Sequence, residues 1–124
     1  MGIYVTGKLT KIQSDLADDA FRVDDGKAFL LGYTKNADFP GEYGKKTRGE
    51  IFQVNVPQME QKKGKGLGLC IYALNHMKKN GTKTVNMNPT TKEGKALLIS
   101  LIHNGFISQP IKISDTGKME FRIL

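Results

Sequence analysis

At 124 residues, 39% hydrophobic and 25% charged, with no long apolar run, the chain has the size of one domain and a composition that excludes both disorder and a bilayer span. A single cysteine, Cys70, excludes an intramolecular disulfide and a cysteine-based zinc cluster, and fits a reducing, cytoplasmic setting. The net charge of +7 is lopsided: residues 1–60 hold 8 Lys/Arg against 9 Asp/Glu, and residues 61–124 hold 11 against 3, which favours an anionic partner for the second half unless the lysines only solubilise it.

The opening Met1-Gly2-Ile3-Tyr4-Val5 lacks the basic and long apolar regions of a signal peptide and passes directly into an alternating strand running toward Ile12. Ser14 is a candidate cap for a short helix. Residues 20–23 and 28–33 flank Asp24-Asp25-Gly26-Lys27, whose Asp-Gly pair is hairpin-turn chemistry. From Thr34 to Gly49 the Asn, Asp, Pro, Gly and Lys content predicts a long loop. A strand over 50–56 follows, with Phe52, Val54 and Val56 expected on one face and Pro57 at its end.

After the glycines at 64, 66 and 68, apolar residues at Leu67, Cys70, Ile71, Leu74 and Met77 recur at helical spacing over Leu69 to Lys79, and Asn80-Gly81 stops the helix. Thr84–Met87 reads as a strand. Thr90-Thr91-Lys92-Glu93 has the pattern of a capping box for a second helix that ends at Asn104-Gly105. Phe106-Ile107 with Ile111-Lys112-Ile113, and Met119 to Ile123 after a turn at 115–118, supply two last strands expected to form an antiparallel pair. The order implies a mixed α/β sheet with a β-α-β crossover at its centre, which puts the turn after the 50–56 strand at a carboxyl end of the sheet, where such folds hold ligands.

That turn is Lys63-Gly64-Lys65-Gly66-Leu67-Gly68. Glycines remove Cβ atoms from the path of an anion, so successive N–H groups at a helix start can converge on it, and Lys63 and Lys65 add charge. A triphosphate-binding loop needs Ser or Thr after Gly-Lys, whereas Gly66 and Leu67 follow Gly64-Lys65; a dinucleotide fingerprint needs an acidic residue about twenty positions on, in a region that here is rich in Lys and Asn.

The segment resembles the Gln/Arg-Gly-x-Gly-x-Gly/Ala motif of the GNAT acetyltransferase superfamily, differing only in Lys63 at its first position. The elements downstream, including Gly105-Phe106 after the second helix, are similar too, so the likeness covers about residues 50–124 and weakens over 1–49, where the family's paired helices are shortened. The resemblance implies a single GNAT-like acyl-CoA N-acyltransferase domain over 1–124. It implies acetyl-CoA as cofactor, with the segment from Val54 to Val56 pairing its pantetheine arm and amides of Gly64, Lys65, Gly66, Leu67, Gly68 and Leu69 beside Lys63 holding its phosphates. The acceptor would be an unidentified primary amine.

Anchored on Gly105-Phe106, the family's helix has an Asn where this chain has Gly94 and a thiolate-protonating Tyr where it has Leu101. The Val56-to-Gly64 spacing is also longer than the family's. Acyl transfer needs a deprotonated amine and a proton for the leaving thiolate. Glu50, at the start of the strand that flanks the acyl group, is the nearest acidic candidate for the base, although an exposed strand-end carboxylate is its plainer reading. Tyr33, Tyr43 and Asn88 are weaker candidates for polar contacts. His76 and His103 lack partners at metal-ligand spacing, Cys70 falls on the apolar helix face, and Lys45-Lys46-Thr47-Arg48 lacks the aromatics of a nucleic-acid platform. The alternative is a GNAT-fold binding module without catalysis that engages an acidic protein or nucleic acid through its basic second half.

Overall fold

The computed structural model of the protein describes residues 8–12, 19–35, 48–61 and 64–124. Its strands are β1 Lys8–Ile12, β2 Asp19–Asp24, β3 Phe29–Lys35, β4 Arg48–Asn55, β5 Thr84–Met87, β6 Ile107–Ile113 and β7 Met119–Ile123, and its helices are α1 Lys65–Lys79 and α2 Lys92–His103. They form one mixed sheet in the order β1-β2-β3-β4-β5-β7-β6. β1 to β4 are an antiparallel meander, β4 and β5 are parallel across the α1 connection, and β7 pairs antiparallel with both β5 and β6.

The predicted β2–β3 hairpin, the crossover and the C-terminal strand pair are all present. Cross-strand partners share a face, so Val23 with Leu30, Gly32 with Ile51, and Val85 with Phe121 define the inner face of the sheet. Phe21, Val23, Leu30, Val85 and Phe121 are fully buried there beneath Leu69, Leu74, Met77 and Leu101 of the two helices. α1 lies against β2, β3 and β4, and α2 against α1 and β6. Residues Ser14, Tyr43, Lys45, Lys46 and most of the expected 34–49 loop lie outside the described residues.

Four expectations shift. β3 extends through Lys35, into the stretch expected as loop, whereas residues 3–7 of the expected first strand lie outside the described residues. The expected face of Phe52, Val54 and Val56 is broken by a bulge: Leu31 pairs with Gln53 but Gly32 with Ile51, leaving Phe52 as the extra residue. Ile51 and Val54 therefore face inward, while Phe52 is 53% exposed and its ring sits 5.9 Å from that of Tyr33. α1 starts four residues early, at Lys65, so that Gly66 and Gly68 are helical instead of forming an open loop. The cap of α2 is Thr91, not Thr90: its Oγ1 accepts from Gly94 N at 3.0 Å, which leaves Glu93 out of a reciprocal box.

Candidate functional site

The parallel pair at the centre of the sheet separates. β4 and β5 are in register only at Arg48 with Thr84, Gly49 with Val85 and Glu50 with Asn86, after which β4 continues to Asn55 and β5 ends at Met87. The bulge at Phe52 falls two residues beyond the last paired residue, Glu50, and a bulged strand bends and twists away from its neighbour. Between the diverging ends lies a cleft of roughly 250 Å³, walled by Ile51 and Val54 of β4, Met87 and Asn88 at the end of β5, and Leu97 and Leu101 of α2. Backbone groups of β4 beyond Glu50 have no β5 partner along this opening.

The glycine turn stands at one end of the cleft. Gly64 is left-handed, with φ 76°, a geometry that favours glycine, and its carbonyl accepts from Gly68 N at 2.9 Å to close the first helical turn. Gly68 and, by helical geometry, Leu69 spend their N–H groups inside the helix, so the expected cradle of 64–69 contracts to the amides of Gly64, Lys65, Gly66 and Leu67. The first turn holds no acidic residue, and the helix dipole adds positive potential. A Cβ on Gly66 would stand 3.6 Å from both Leu97 and Val56 and 3.9 Å from Val54. Val54 and Leu97 also wall the cleft, so the amide end and the cleft are contiguous. The Val56 carbonyl accepts from Gln61 Nε2 at 3.2 Å. Lys63 lies outside the described residues.

Lys65 is not a free charge aimed at an anion. Its Nζ lies 3.0 Å from Asp25 Oδ2 and 3.0 Å from Glu60 Oε2, and Lys27 binds the other Glu60 oxygen at 3.2 Å. Glu60 is buried on the 3-10 turn Gln58–Glu60 that leads into α1. Asp25 also accepts from the N–H groups of Lys27 and Ala28, at 2.9 and 2.8 Å. These two backbone donors, then Lys65, hold its carboxyl at about 2. The network ties the β2–β3 turn to the first residue of α1, and sequence spacing offers no signal for it.

A carboxyl group held below its ordinary pKa stabilises the fold above that ordinary value, and the contribution disappears as pH falls toward the folded-state pKa. Asp25→Asn is therefore expected to flatten the fall of Tm between about pH 4 and pH 2, measured by thermal melts across that window, because the variant has no carboxylate there to protonate.

Glu50 sits at the last paired position of the fork, with its side chain 15% exposed on the outer face of the sheet. Tyr33 Oη donates to Glu50 Oε2 at 3.1 Å, and Lys118 Nζ pairs with Oε1. Lys118 follows Gly117 in the β6–β7 turn, where a Cβ on Gly117 would be 3.5 Å from Asn88 Oδ1, so this turn stands at the mouth of the cleft. Glu50 and Tyr33 are thus brought together, Asn88 lines the cleft, and Tyr43 lies outside the described residues. Lys118 was not among the candidate residues; its turn was legible, but which strand its side chain meets depends on β7 lying beside β5.

Cys70 lines the deep end of the cleft but is buried, and burial pushes its thiol up to about 12, which suits packing and not nucleophilic attack. His76 is half-buried with its ring 4.9 Å edge-on from that of Phe21, while His103 is exposed at the end of α2. Among the described residues no cluster of three or more His, Cys, Asp or Glu could hold a metal, and no helix is long and apolar enough to cross a membrane.

No protein-family model matches the sequence, and no curated protein matches it. Solved structures do match the fold. An acetyltransferase from Bacillus subtilis in complex with CoA superposes with a TM-score of 0.54 at 12% identity, over 95% of this chain and 98% of that one. The ribosomal-protein-S18-alanine N-acetyltransferase of Escherichia coli gives 0.53 at 15% identity, over 95% and 91%. AtaTR bound with acetyl-CoA gives 0.54 at 14% identity, over 84% and 66%. The resemblance to the GNAT superfamily therefore holds for the fold: a mixed sheet of this topology with α1 and α2 on its inner face.

Proposed function

We propose that the protein is an acetyl-CoA-dependent N-acetyltransferase of one GNAT-like domain, acting on a primary amine. The observation that carries this reading is the parting of β4 and β5 after Glu50 into a cleft that ends at the first-turn amides of α1. The chain's own groups suit such a donor. Backbone groups of β4 beyond the bulge are available to an extended amide-bearing arm as to an added strand, and the first-turn amides face an anionic end. The likeness to structures holding CoA or acetyl-CoA adds to this fit. The donor supplies the activated thioester; Glu50, oriented by Tyr33 at the fork, is the group to take a proton from the amine. In place of a tyrosine at Leu101, Asn88 and Thr90 are polar side chains on the cleft wall that could position a water for the departing thiolate.

A ligand bound only by the folded chain raises Tm, so saturating acetyl-CoA should shift the melt upward, by on the order of 10 °C at 100 times its Kd, and a panel of primary amines should then release free thiol. No shift at saturation would sink the donor site. A second reading has its own support: Leu101 is fully buried, and among the described residues lining the cleft the Cys70 thiol is the one titratable group. A domain that binds the donor but consumes no amine would be a binding module, and salt-sensitive retention on nucleic acid or an acidic protein would identify its partner through the basic second half.

A further inference from the structure

The Lys118–Glu50 pair is unusual for a surface ion pair in where it lies. Glu50 marks the point at which the strands part, and Ile51, its neighbour, already walls the cleft. Lys118 reaches it from a turn that is closely fixed: Ser114 N donates to Lys118 O at 2.8 Å, Lys118 N donates to Ser114 Oγ at 3.1 Å, and Gly117 N donates to Ser114 O at 3.0 Å. The turn also abuts Asn88 on the opposite wall. The carboxylate with its tyrosine is thus a ready-made seat for an alkylammonium group at the mouth of the cleft, and the group seated in it is the chain's own.

We infer that Lys118 is an acyl acceptor in cis, modified at Nζ by a coenzyme A thioester in the cleft; this rests on the N-acetyltransferase reading. Glu50 keeps Lys118 charged at rest, raising its pKa above the ordinary lysine value, so the reaction begins with that proton passing to Glu50. The neutral amine attacks the thioester carbonyl, a C–N bond forms, and the C–S bond breaks with its electron pair on sulfur. The thiolate takes a proton from the nitrogen and leaves as a thiol, the product is an N-acyl-lysine, and Glu50 returns its proton to water. Acylation removes the charge that faces Glu50 and leaves the carboxylate held by Tyr33.

The test is incubation of the full chain with acetyl-CoA, followed by intact mass and peptide mapping, with a parallel melt in the presence of coenzyme A, which has no acyl group to give. The expected result is one added acetyl group, mapped to Lys118, at a rate independent of protein concentration. Lys118→Arg should lose the modification, and Glu50→Gln should slow it about 100-fold or more while keeping the coenzyme A shift in Tm. A retained shift with unmodified Lys118 overturns the inference alone. So does label spread evenly over exposed lysines such as Lys78, Lys79 and Lys112, or a rate proportional to protein concentration. Absence of any coenzyme A shift overturns the donor site and this inference with it.

Discussion

Replacing Gly66 with leucine is expected to remove the thermal shift that acetyl-CoA gives the parent protein while leaving a cooperative melt. Gly66 occupies the second position of α1, where the first-turn amides meet the cleft, and its missing side chain leaves a gap bounded by Leu97, Val56 and Val54. A first carbon fits this gap, since its neighbours stand at 3.6 to 3.9 Å, the range of ordinary contact. Three further carbons do not fit without filling the opening through which a donor's anionic end must reach the amides. A ligand at 100 times its Kd stabilises the folded state by about 2.7 kcal/mol. For a domain of this size that is a shift on the order of 10 °C, which Gly66→Leu should reduce to nothing. Gly66→Ala is the control: it should keep most of the shift and raise the unliganded Tm slightly, alanine being better than glycine in a helix by roughly 1 kcal/mol. Loss of the shift in the alanine variant as well would place the ligand elsewhere.

The elements that carry this site were legible in the sequence wherever local chemistry decides them. The Asp-Gly pair specified the β2–β3 hairpin, helical spacing of Leu67, Cys70, Leu74 and Met77 specified α1, and the order of elements specified a parallel crossover at the glycine turn. What local chemistry does not decide was read less well. The bulge at Phe52 arises from pairing with β3, so alternation along β4 alone put Phe52 and Val54 on one face when they lie on opposite faces. The glycines at 64, 66 and 68 read as an open turn, glycine being a poor helix former, yet α1 begins at Lys65, with Gly66 facing Leu97, Val56 and Val54 and Gly68 N donating to Gly64 O. Lys65 reads as a charge for an anion; of its two carboxylate partners Glu60 is near in the chain, on the 3-10 turn before α1, but Asp25 comes from the β2–β3 turn, which only the folded chain brings beside it. Glu50 and Tyr33 are both candidates on the sequence alone, but their contact follows from the register of β3, and Lys118, which occupies the carboxylate, from the position of β7.

The bulge itself should be open to test through the residue that faces it. Gly32 is buried at the step where the β3–β4 register shifts, and a Cβ there would lie 2.9 Å from Phe21 Cζ and 3.0 Å from the backbone oxygen of Glu50. Contacts under 3.0 Å are not tolerated, and neither neighbour yields easily: the Phe21 ring is fully buried against His76, and the Glu50 oxygen belongs to the last residue of β4 paired to β5. Gly32→Ala is therefore expected to destabilise the fold by about 2 kcal/mol, the cost of overpacking a closed core, which lowers Tm by roughly 5 to 10 °C. Gly66→Ala, the same substitution at a site with room, should show no such loss. The displaced backbone is that of Glu50, so the coenzyme A shift should weaken in Gly32→Ala even after melts are compared at equal distance below each unliganded Tm. A Gly32→Ala protein with unchanged Tm and an unchanged shift would mean that β3 and β4 have slack at this step, and that the fork after Glu50 is not set by the close packing of Gly32 on Phe21 and β4.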